Sequence, residues 1–170
     1  GSHILDLFRW FMGDFVEATG YLTTSFWDVA PLEDNAFALL KTRDYKIASM
    51  HVSWTQWKNL FSLELFGKDG FVHIEGRGGS YGPEKVTIAR RQPESGPPLI
   101  ETVQFPGRDE SWDLEWDEFI RAVKEGREPL GSGYDGWVVS LMSDAIYEAA
   151  RTGKAMEIAI PEGMSSTSVD

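Results

Sequence analysis

The hydrophobic pattern of this 170-residue chain changes its period once, and that change restricts the fold more than any other feature. Between Phe15 and Phe105, apolar residues mostly alternate with polar ones, which is the period of strands with one buried face. Between Trp112 and Ala149 they recur every three or four residues, which is the period of amphipathic helices. A run of strands followed by a run of helices predicts an α+β domain.

Turn and cap residues divide this pattern into one helix, about six strands, two helices and a last strand. Gly13 is placed to end the first helix, and Asp69-Gly70 predicts a tight hairpin. We therefore expect an open, mostly antiparallel sheet of approximately six strands, with helices on one face and the other face free for oligomerisation. The predicted strands include Phe15–Thr24, Asn35–Lys41, Ile47–Trp57, the arms on either side of Gly67–Gly70, Lys85–Arg91, Ile100–Phe105 and Ala155–Ile160. The predicted helices are Ile4–Met12, the stripe from Trp112 to Val123 that Gly126 ends, and the stripe from Val138 to Ala149 that Gly153 caps.

Composition excludes several classes of partner. The 16 basic and 27 acidic residues give a net charge of −11, which repels nucleic acids and anionic membranes at long range. No apolar run approaches the roughly 18 residues of a membrane span, and no signal peptide is visible. The chain has no cysteine, so disulfides and thiolate sites are excluded. These features agree with a cytoplasmic protein that binds neither nucleic acid nor membrane.

The three histidines lack the short spacing of a metal site, so we predict no metal. His51 and His73 lie in predicted strands, where packing or surface roles are usual. His3 stands at the start of the first helix with Asp6 one turn later. Histidine takes up and releases protons near neutral pH, so His3 is a candidate for proton transfer.

Other motifs favour structural roles. The glycine-rich segment Gly76–Pro83 leads into a strand and lacks GxGxxG, which indicates a hairpin loop rather than a phosphate site. Trp112 and Trp116 lie on the apolar stripe of a helix, which favours the core. Trp54 and Trp57 differ in parity along one predicted strand, so we expect one in the core and the other facing a partner or ligand. The acids between Asp109 and Glu118 suit a helix start.

The opening Gly1-Ser2-His3-Ile4-Leu5-Asp6-Leu7, with Arg9-Trp10 and Gly13, resembles one stretch of the glucose–fructose oxidoreductase / inositol dehydrogenase / rhizopine catabolism (Gfo/Idh/MocA) family. There the pattern is Asp-x-Gly-x-His-x-x-Asp, with a Gly seven residues further on. The resemblance covers nearly the whole chain in order. It continues at Glu33-Asp34-Asn35-Ala36, Ser53-Trp54, Leu63 to Gly70, Glu118-Phe119, Gly126, Pro129, Tyr134-Asp135-Gly136 to Ala149-Ala150, and Gly153-Lys154.

The resemblance implies the C-terminal half of an oxidoreductase that passes a hydride between NAD or NADP and a sugar, inositol or nucleotide-sugar-like polyol. Residues 1–162 would form the substrate and oligomerisation domain, and 163–170 a flexible tail. His3 matches the family's catalytic His. The motif Asp would lie two residues before Gly1, and the catalytic Lys and the nucleotide site would lie in an N-terminal Rossmann domain. We therefore expect this fragment to bind no cofactor and to be inactive alone, and the intact enzyme to form a homodimer or tetramer through the open sheet face.

Some alternatives remain open. Gly-Ser-His is also a common cloning remnant, but here it runs into Ile4 in the family's register, which favours a native origin. Gln56, Trp57 and Lys58, at the end of a predicted strand, are weak candidates for the substrate wall. A stand-alone oligomerisation module, or an aromatic sheet that binds carbohydrate without catalysis, is the alternative function.

Overall fold

The computed structural model describes residues 1–77 and 80–161, which fold as two compact units. The first unit contains Gly1–Thr55 and the chain from Glu128 onward, and the second contains Gln56–Arg127. In chain order the elements are α1 (Ser2–Met12), β1 (Phe15–Thr23), β2 (Asn35–Thr42), β3 (Ile47–Ser53), β4 (Ser62–Gly67), β5 (Gly70–Glu75), β6 (Glu84–Arg90), β7 (Leu99–Phe105), α2 (Ser111–Glu125), α3 (Gly133–Thr152) and β8 (Met156–Glu157).

The first unit contains an antiparallel sheet in the order β3-β2-β1-β8. Because side chains alternate along each strand, one face of this sheet is buried beneath α3, which in turn packs on α1. The prediction that helices cover one face is confirmed in this unit. The core combines side chains of the buried sheet face and of the two helices: Leu5, Phe8, Phe15, Ala18, Leu40, Met50, Val138, Met142 and Ile146.

The second unit contains an antiparallel sheet in which β4, β5, β6 and β7 pair in sequence order. The hairpin predicted at Asp69-Gly70 is confirmed, because Gly67 pairs with Gly70 across a two-residue connection. The strands predicted at Lys85–Arg91 and Ile100–Phe105 pair as β6 and β7, and β7 lies at an edge of this sheet.

The expectation of one sheet of approximately six strands is wrong, because the described strands form two four-stranded sheets. The predicted strand Ile47–Trp57 ends at Ser53, and pairing resumes only at Ser62. Trp57 has a φ of 55°, a left-handed conformation that interrupts an extended strand. Beyond this break, each strand pairs with its sequence neighbour through a short connection, so the alternating pattern continues in a separate sheet.

The three helices begin and end close to the predicted residues. Gly13 follows α1 with a φ of 84°, and its N–H donates to the Arg9 carbonyl. Gly126 and Gly153 follow α2 and α3 in the left-handed conformation that favours glycine. At the start of α3, Ser132 and Asp135 form a reciprocal capping box. The last predicted strand is shorter than expected, because only Met156–Glu157 pairs.

The core positions predicted for two tryptophans of α2 are wrong. Trp112 is 78% exposed and Trp116 is 62% exposed, and Ala122 is the buried residue of this helix. The apolar residues do lie on one face of α2, as their spacing predicts. The spacing does not show, however, which part of the protein packs against that face.

Gly20 allows β1 and β2 to lie close together. A Cβ atom at this position would stand 2.3 Å from the carbonyl oxygen of Phe37, a backbone atom that cannot move aside alone. We expect Gly20→Ala to lower the free energy of unfolding by about 2–3 kcal/mol, measured by urea denaturation. Gly131→Ala is the matched control, because nothing lies within 4 Å of that site. Equal effects of the two substitutions would contradict this account of the strand pair.

Two sequence predictions fall outside the described residues. They are the flexible tail at 163–170 and the middle of the Gly76–Pro83 loop, at Gly78 and Gly79. None of the helices within 1–77 and 80–161 is both long and apolar enough to span a bilayer.

Candidate substrate wall in the first unit

A cavity of about 230 Å³ opens at the N-terminus of α1, where the helix meets the sheet of the first unit. Gly1 lies against this sheet, since a Cβ there would contact Val52. The lining is mixed, with an apolar floor and a rim of hydroxyl, amide and carboxylate groups, as expected for a small polar ligand. The polar residues of the lining are Ser2, Glu33, Asp34, Asn35, Ser53, Ser143 and Tyr147.

Asp34 organises the loop that forms one side of this cavity. Its buried carboxylate accepts hydrogen bonds from the backbone N–H groups of Ser25, Phe26 and Trp27 at 2.9, 2.7 and 3.0 Å. The Asn35 amide donates a fourth, at 2.8 Å. Burial by itself would raise the pKa of Asp34, but these four donors outweigh it and hold that pKa well below its usual range.

The same residue also connects the loop to the end of β3. The N–H of Trp54 donates to the Asp34 carbonyl at 2.9 Å, and the indole N–H of Trp27 donates to the Trp54 carbonyl at 3.1 Å. Beside them, the Thr55 hydroxyl donates to the Asn35 amide oxygen at 3.1 Å. The side of the cavity is therefore a cross-linked surface, with the indole of Trp54 79% exposed beside it.

A tyrosine–carboxylate pair also lines the cavity. The hydroxyl of Tyr147, on α3, donates to the carboxylate of Glu33 at 2.7 Å. This hydrogen bond, with burial adding to it, raises the pKa of Tyr147 to about 12. Both residues also line a second, more open cavity of about 470 Å³ that continues along α3. The pair therefore stands between the two cavities.

A buried arginine holds α1 in place relative to α3. Arg9 is 8% exposed, and its guanidinium donates to Asp14 and to Asp135, each at 3.0 Å. It also lies over the ring of Tyr134, 5.6 Å from the centroid. Asp135 accepts further hydrogen bonds from the backbone N–H and hydroxyl of Ser132. This network fixes the helix whose first turn reaches the cavity.

His3 lies in the first turn of α1, directly after two residues that line the cavity. Its side chain is exposed. Within the part of the chain that the structure describes, no hydrogen bond or ion pair joins it to Asp6. The geometry therefore leaves its ring nitrogens open to a ligand and gives Asp6 no direct role in orienting them.

The three weaker candidates, Gln56, Trp57 and Lys58, belong to the second unit and lie outside any strand. The prediction that one of Trp54 and Trp57 is buried is wrong, because they are 79% and 67% exposed. The parity argument failed because the strand ends at Ser53, before either residue.

Sequence reasoning did not identify the polar side chains that line the cavity. Glu33, Asp34 and Asn35 carry part of the family resemblance but no site prediction of their own, although an Asp before a strand and after a loop is a common loop-ordering residue. Tyr147 gave no signal of its own, because it sits between apolar positions of a helical stripe.

The described residues do not fit a dinucleotide. The connection from β7 to α2 is strand–loop–helix, but it carries one glycine, Gly107, and two acids, Asp109 and Glu110, where a pyrophosphate would need a glycine-rich turn at a helix N-terminus. Across 1–77 and 80–161, no group of three or more His, Asp or Glu side chains gathers to hold a metal ion.

Residues 1–73 match the model of the GFO/IDH/MocA C-terminal domain family. Over 164 residues the chain is 26% identical to an inositol 2-dehydrogenase of Klebsiella pneumoniae, covering 94% of this chain and 46% of that protein. The chain thus spans about half the length of this relative.

Solved structures show the same fold over nearly the whole chain. A levoglucosan dehydrogenase in complex with NADH and levoglucosan superposes with a TM-score of 0.79 at 18% identity, over 94% of this chain and 49% of the other. The WlbA dehydrogenase of Bordetella pertussis, in complex with NADH and UDP-GlcNAcA, superposes with a TM-score of 0.69 at 23% identity, over 94% and 44%. An aldose-aldose oxidoreductase of Caulobacter crescentus gives 0.76 at 23% identity, over 92% and 45%.

Proposed function

Because residues 1–73 match the model of the GFO/IDH/MocA C-terminal domain family, we propose that the chain supplies the substrate wall of an NAD(P)-dependent oxidoreductase. The intact enzyme would pass a hydride between the nicotinamide and a carbinol carbon of a sugar, inositol or nucleotide-sugar-like polyol. Residues 1–162 are its substrate and oligomerisation half, and the nucleotide is held by an N-terminal Rossmann domain. The chain alone binds no cofactor and is inactive. The absence of cysteine supports a cytoplasmic location.

One observation carries the proposal. The first turn of α1, with His3 at the position of the family's catalytic histidine, adjoins a cavity with a polyol-compatible lining. A polyol presents several hydroxyl groups, each of which both donates and accepts hydrogen bonds. The Ser2 hydroxyl can both donate and accept, the Asn35 amide has one further N–H and one further lone pair beside its bonds to Asp34 and Thr55, and the Glu33 carboxylate accepts strongly.

The proton is the part of the chemistry that this chain can handle. As a hydride leaves the carbinol carbon, the hydroxyl on that carbon loses its proton. We propose that His3 accepts this proton, or receives it from the family's lysine and aspartate, which the resemblance places before Gly1. Gln56, Trp57 and Lys58, which follow Thr55 in the chain, remain proposed additions to the substrate wall.

The open face of the first sheet supports oligomerisation. Tyr21, Phe37, Leu39 and Ile47 are between 45% and 75% exposed and lie on the face opposite the helices. His51 stacks on Phe37 with ring centroids 4.2 Å apart, which extends a flat aromatic surface. Apolar surface of this kind on one sheet face is typical of a subunit interface, and we propose that it forms a homodimer or tetramer.

The proposal is tested by assaying the protein encoded by the whole gene for reduction of NAD and NADP with a panel of inositols, aldoses and anhydrosugars. The proposal predicts reduction with at least one polyol, and none by the 170-residue chain alone. The alternative, an oligomerisation or carbohydrate-binding module without catalysis, predicts a stable oligomer with no nucleotide reduction. A gene that encodes no nucleotide-binding domain upstream would contradict the proposal.

The loop-ordering role of Asp34 gives a pH-dependent prediction. We expect Asp34→Asn to lower the midpoint of thermal unfolding by several degrees at pH 7, because an amide accepts fewer of the four hydrogen bonds. The folded-state pKa of Asp34 is depressed, so its stabilisation is present above the unfolded-state pKa of about 3.9 and is lost as the pH falls through the folded-state value.

The difference between the wild-type chain and Asp34→Asn should therefore narrow as the pH falls from about 4 towards 2. Asp28→Asn is the control in the same loop, because Asp28 is exposed and should be replaceable with little effect at any pH. A difference that stays constant with pH would show that the charge of Asp34 contributes nothing.

A further inference from the structure

The exposed stripe of α2 is a large apolar surface that the proposed substrate wall does not use. Trp112, Trp116, Phe119 and Val123 lie at i, i+4, i+7 and i+11, on one side of the helix, and are between 49% and 78% exposed. The rings of Trp116 and Phe119 are 5.9 Å apart, so the surface is continuous. We call these four residues the α2 stripe.

The charged flanks of α2, unlike the stripe, are paired inside the second unit. Arg127 donates to Glu118 at 2.6 and 2.9 Å and to Glu125 at 2.7 Å. Arg108 pairs with Asp113 near the start of the helix. Asp113, Glu118 and Glu125 of α2 thus have polar partners, whereas the side chains of the stripe remain largely exposed within 1–77 and 80–161. The stripe therefore differs from the exposed side of an ordinary solvated helix, which is polar.

The size of the α2 stripe favours a tethered partner. Its exposed side chains present on the order of 500 Å² of apolar surface, given the area that each aromatic residue can bury. A stable complex of separate molecules usually buries about 800 Å² on each partner. An interface between domains of one chain can be smaller, because the tether replaces most of the entropic cost of association.

The relatives are about twice as long as this chain, so a further segment of the same polypeptide could be the tethered partner. This chain spans 44–50% of the solved structures that it matches. A protein of their size contains about as much chain again outside these residues. We propose that the α2 stripe is the docking surface for that N-terminal half of the same polypeptide. The inference rests on the proposed function, because it takes the intact protein to have this second half.

The test compares side-chain exposure in the 170-residue chain and in the protein encoded by the whole gene, by hydroxyl-radical footprinting with mass spectrometry. Tyr45, which is 80% exposed in the turn after β2, is the internal reference. In the 170-residue chain, Trp112 and Trp116 should be modified about as fast as their exposure predicts, at every protein concentration. In the longer protein, the modification of Trp112 and Trp116 should slow about five-fold or more, while that of Tyr45 is unchanged. This fold-change is expected because side chains that are mostly exposed in the 170-residue chain would become buried.

A variant makes the test specific. Trp116→Ala in the longer protein should restore fast modification of Trp112, because the stripe loses its central ring. Leu99→Ala is the matched control, because Leu99 is 63% exposed on the edge strand of the same unit but lies off the stripe. It should leave Trp112 protected. The 170-residue chain should unfold at the same temperature with or without Trp116→Ala.

Four outcomes would overturn the inference. The first is unchanged modification of Trp112 and Trp116 in the longer protein. The second and third are protection of these residues in the 170-residue chain, either growing with concentration, which indicates a second copy, or present at all concentrations. The fourth is a gene that encodes no further segment. Footprinting needs neither nucleotide nor polyol, so its result is separate from the activity assay. An active enzyme with an unprotected stripe contradicts only this inference, and a protected but inactive one contradicts only the proposed function.

Discussion

Replacing Arg9 with methionine is expected to lower the free energy of unfolding of the 170-residue chain by about 3 kcal/mol. The side chain of Arg9 is 6% exposed and that of Asp135 is 22% exposed, so the pair is screened far less than a surface ion pair. Methionine keeps most of the apolar stem of the side chain but leaves Asp135 without its guanidinium. Removing the guanidinium leaves the partly buried carboxylate of Asp135 without one partner, and the hydrogen bonds from Ser132 moderate the cost.

Urea denaturation would measure this effect, with Arg151→Met as the matched control. Arg151 pairs with Glu148 on α3, but its side chain is 71% exposed, so the same substitution should change stability little. If Arg9→Met lowered the free energy of unfolding no more than Arg151→Met, the network between α1 and α3 would contribute little to holding the two helices together.

Replacing His3 with alanine in the intact enzyme is expected to lower kcat about 100-fold or more, the usual effect of removing a group that transfers a proton in the rate-limiting step. KM for the polyol should change much less, because the cavity lining is untouched. The 170-residue chain with the same substitution should unfold at the wild-type temperature, since His3 is exposed. This combination separates a catalytic role from a structural one.

His73→Gln is the control histidine substitution. His73 lies in β5 of the second unit, where its Nε2 is 2.8 Å from the Ser62 hydroxyl, and glutamine can keep a hydrogen bond there. Its kcat should remain at the wild-type value. A His3→Ala enzyme with nearly normal kcat would show that His3 does not act in catalysis and that its match to the family motif is accidental.

Local patterns predicted the elements well, because their determinants lie within a few residues of each other. Gly13, Gly126 and Gly153 end helices at the predicted places, and the Asp69-Gly70 hairpin forms as expected. The division into two sheets was not predictable from alternation, since a strand pattern does not say which strand it pairs with. The break lies between Ser53 and Ser62 and includes Trp57, whose left-handed backbone has no signature in a sequence of β-forming residues.

The resemblance supplied His3 as the catalytic candidate, and that role stays a prediction. In the structure His3 follows Gly1 and Ser2, which line the cavity. Asp34 and Tyr147 escaped prediction because their roles depend on partners distant in sequence, such as the bond between Tyr147 and Glu33. Trp116 was assigned to the core for a similar reason: periodicity identifies an apolar face but cannot say which part of the protein covers it.

The central claim, that this chain shapes the substrate site of an enzyme that moves a hydride from a carbinol carbon, is tested most directly by isotope transfer. The intact protein would be incubated with oxidised nucleotide and an accepted polyol that carries deuterium on the reacting carbon, and the reduced nucleotide would be analysed by mass spectrometry. We expect one deuterium in each reduced nucleotide, with far slower formation by the His3→Ala variant. Reduced nucleotide without deuterium, or no reduction with any polyol by a folded intact protein, would contradict it.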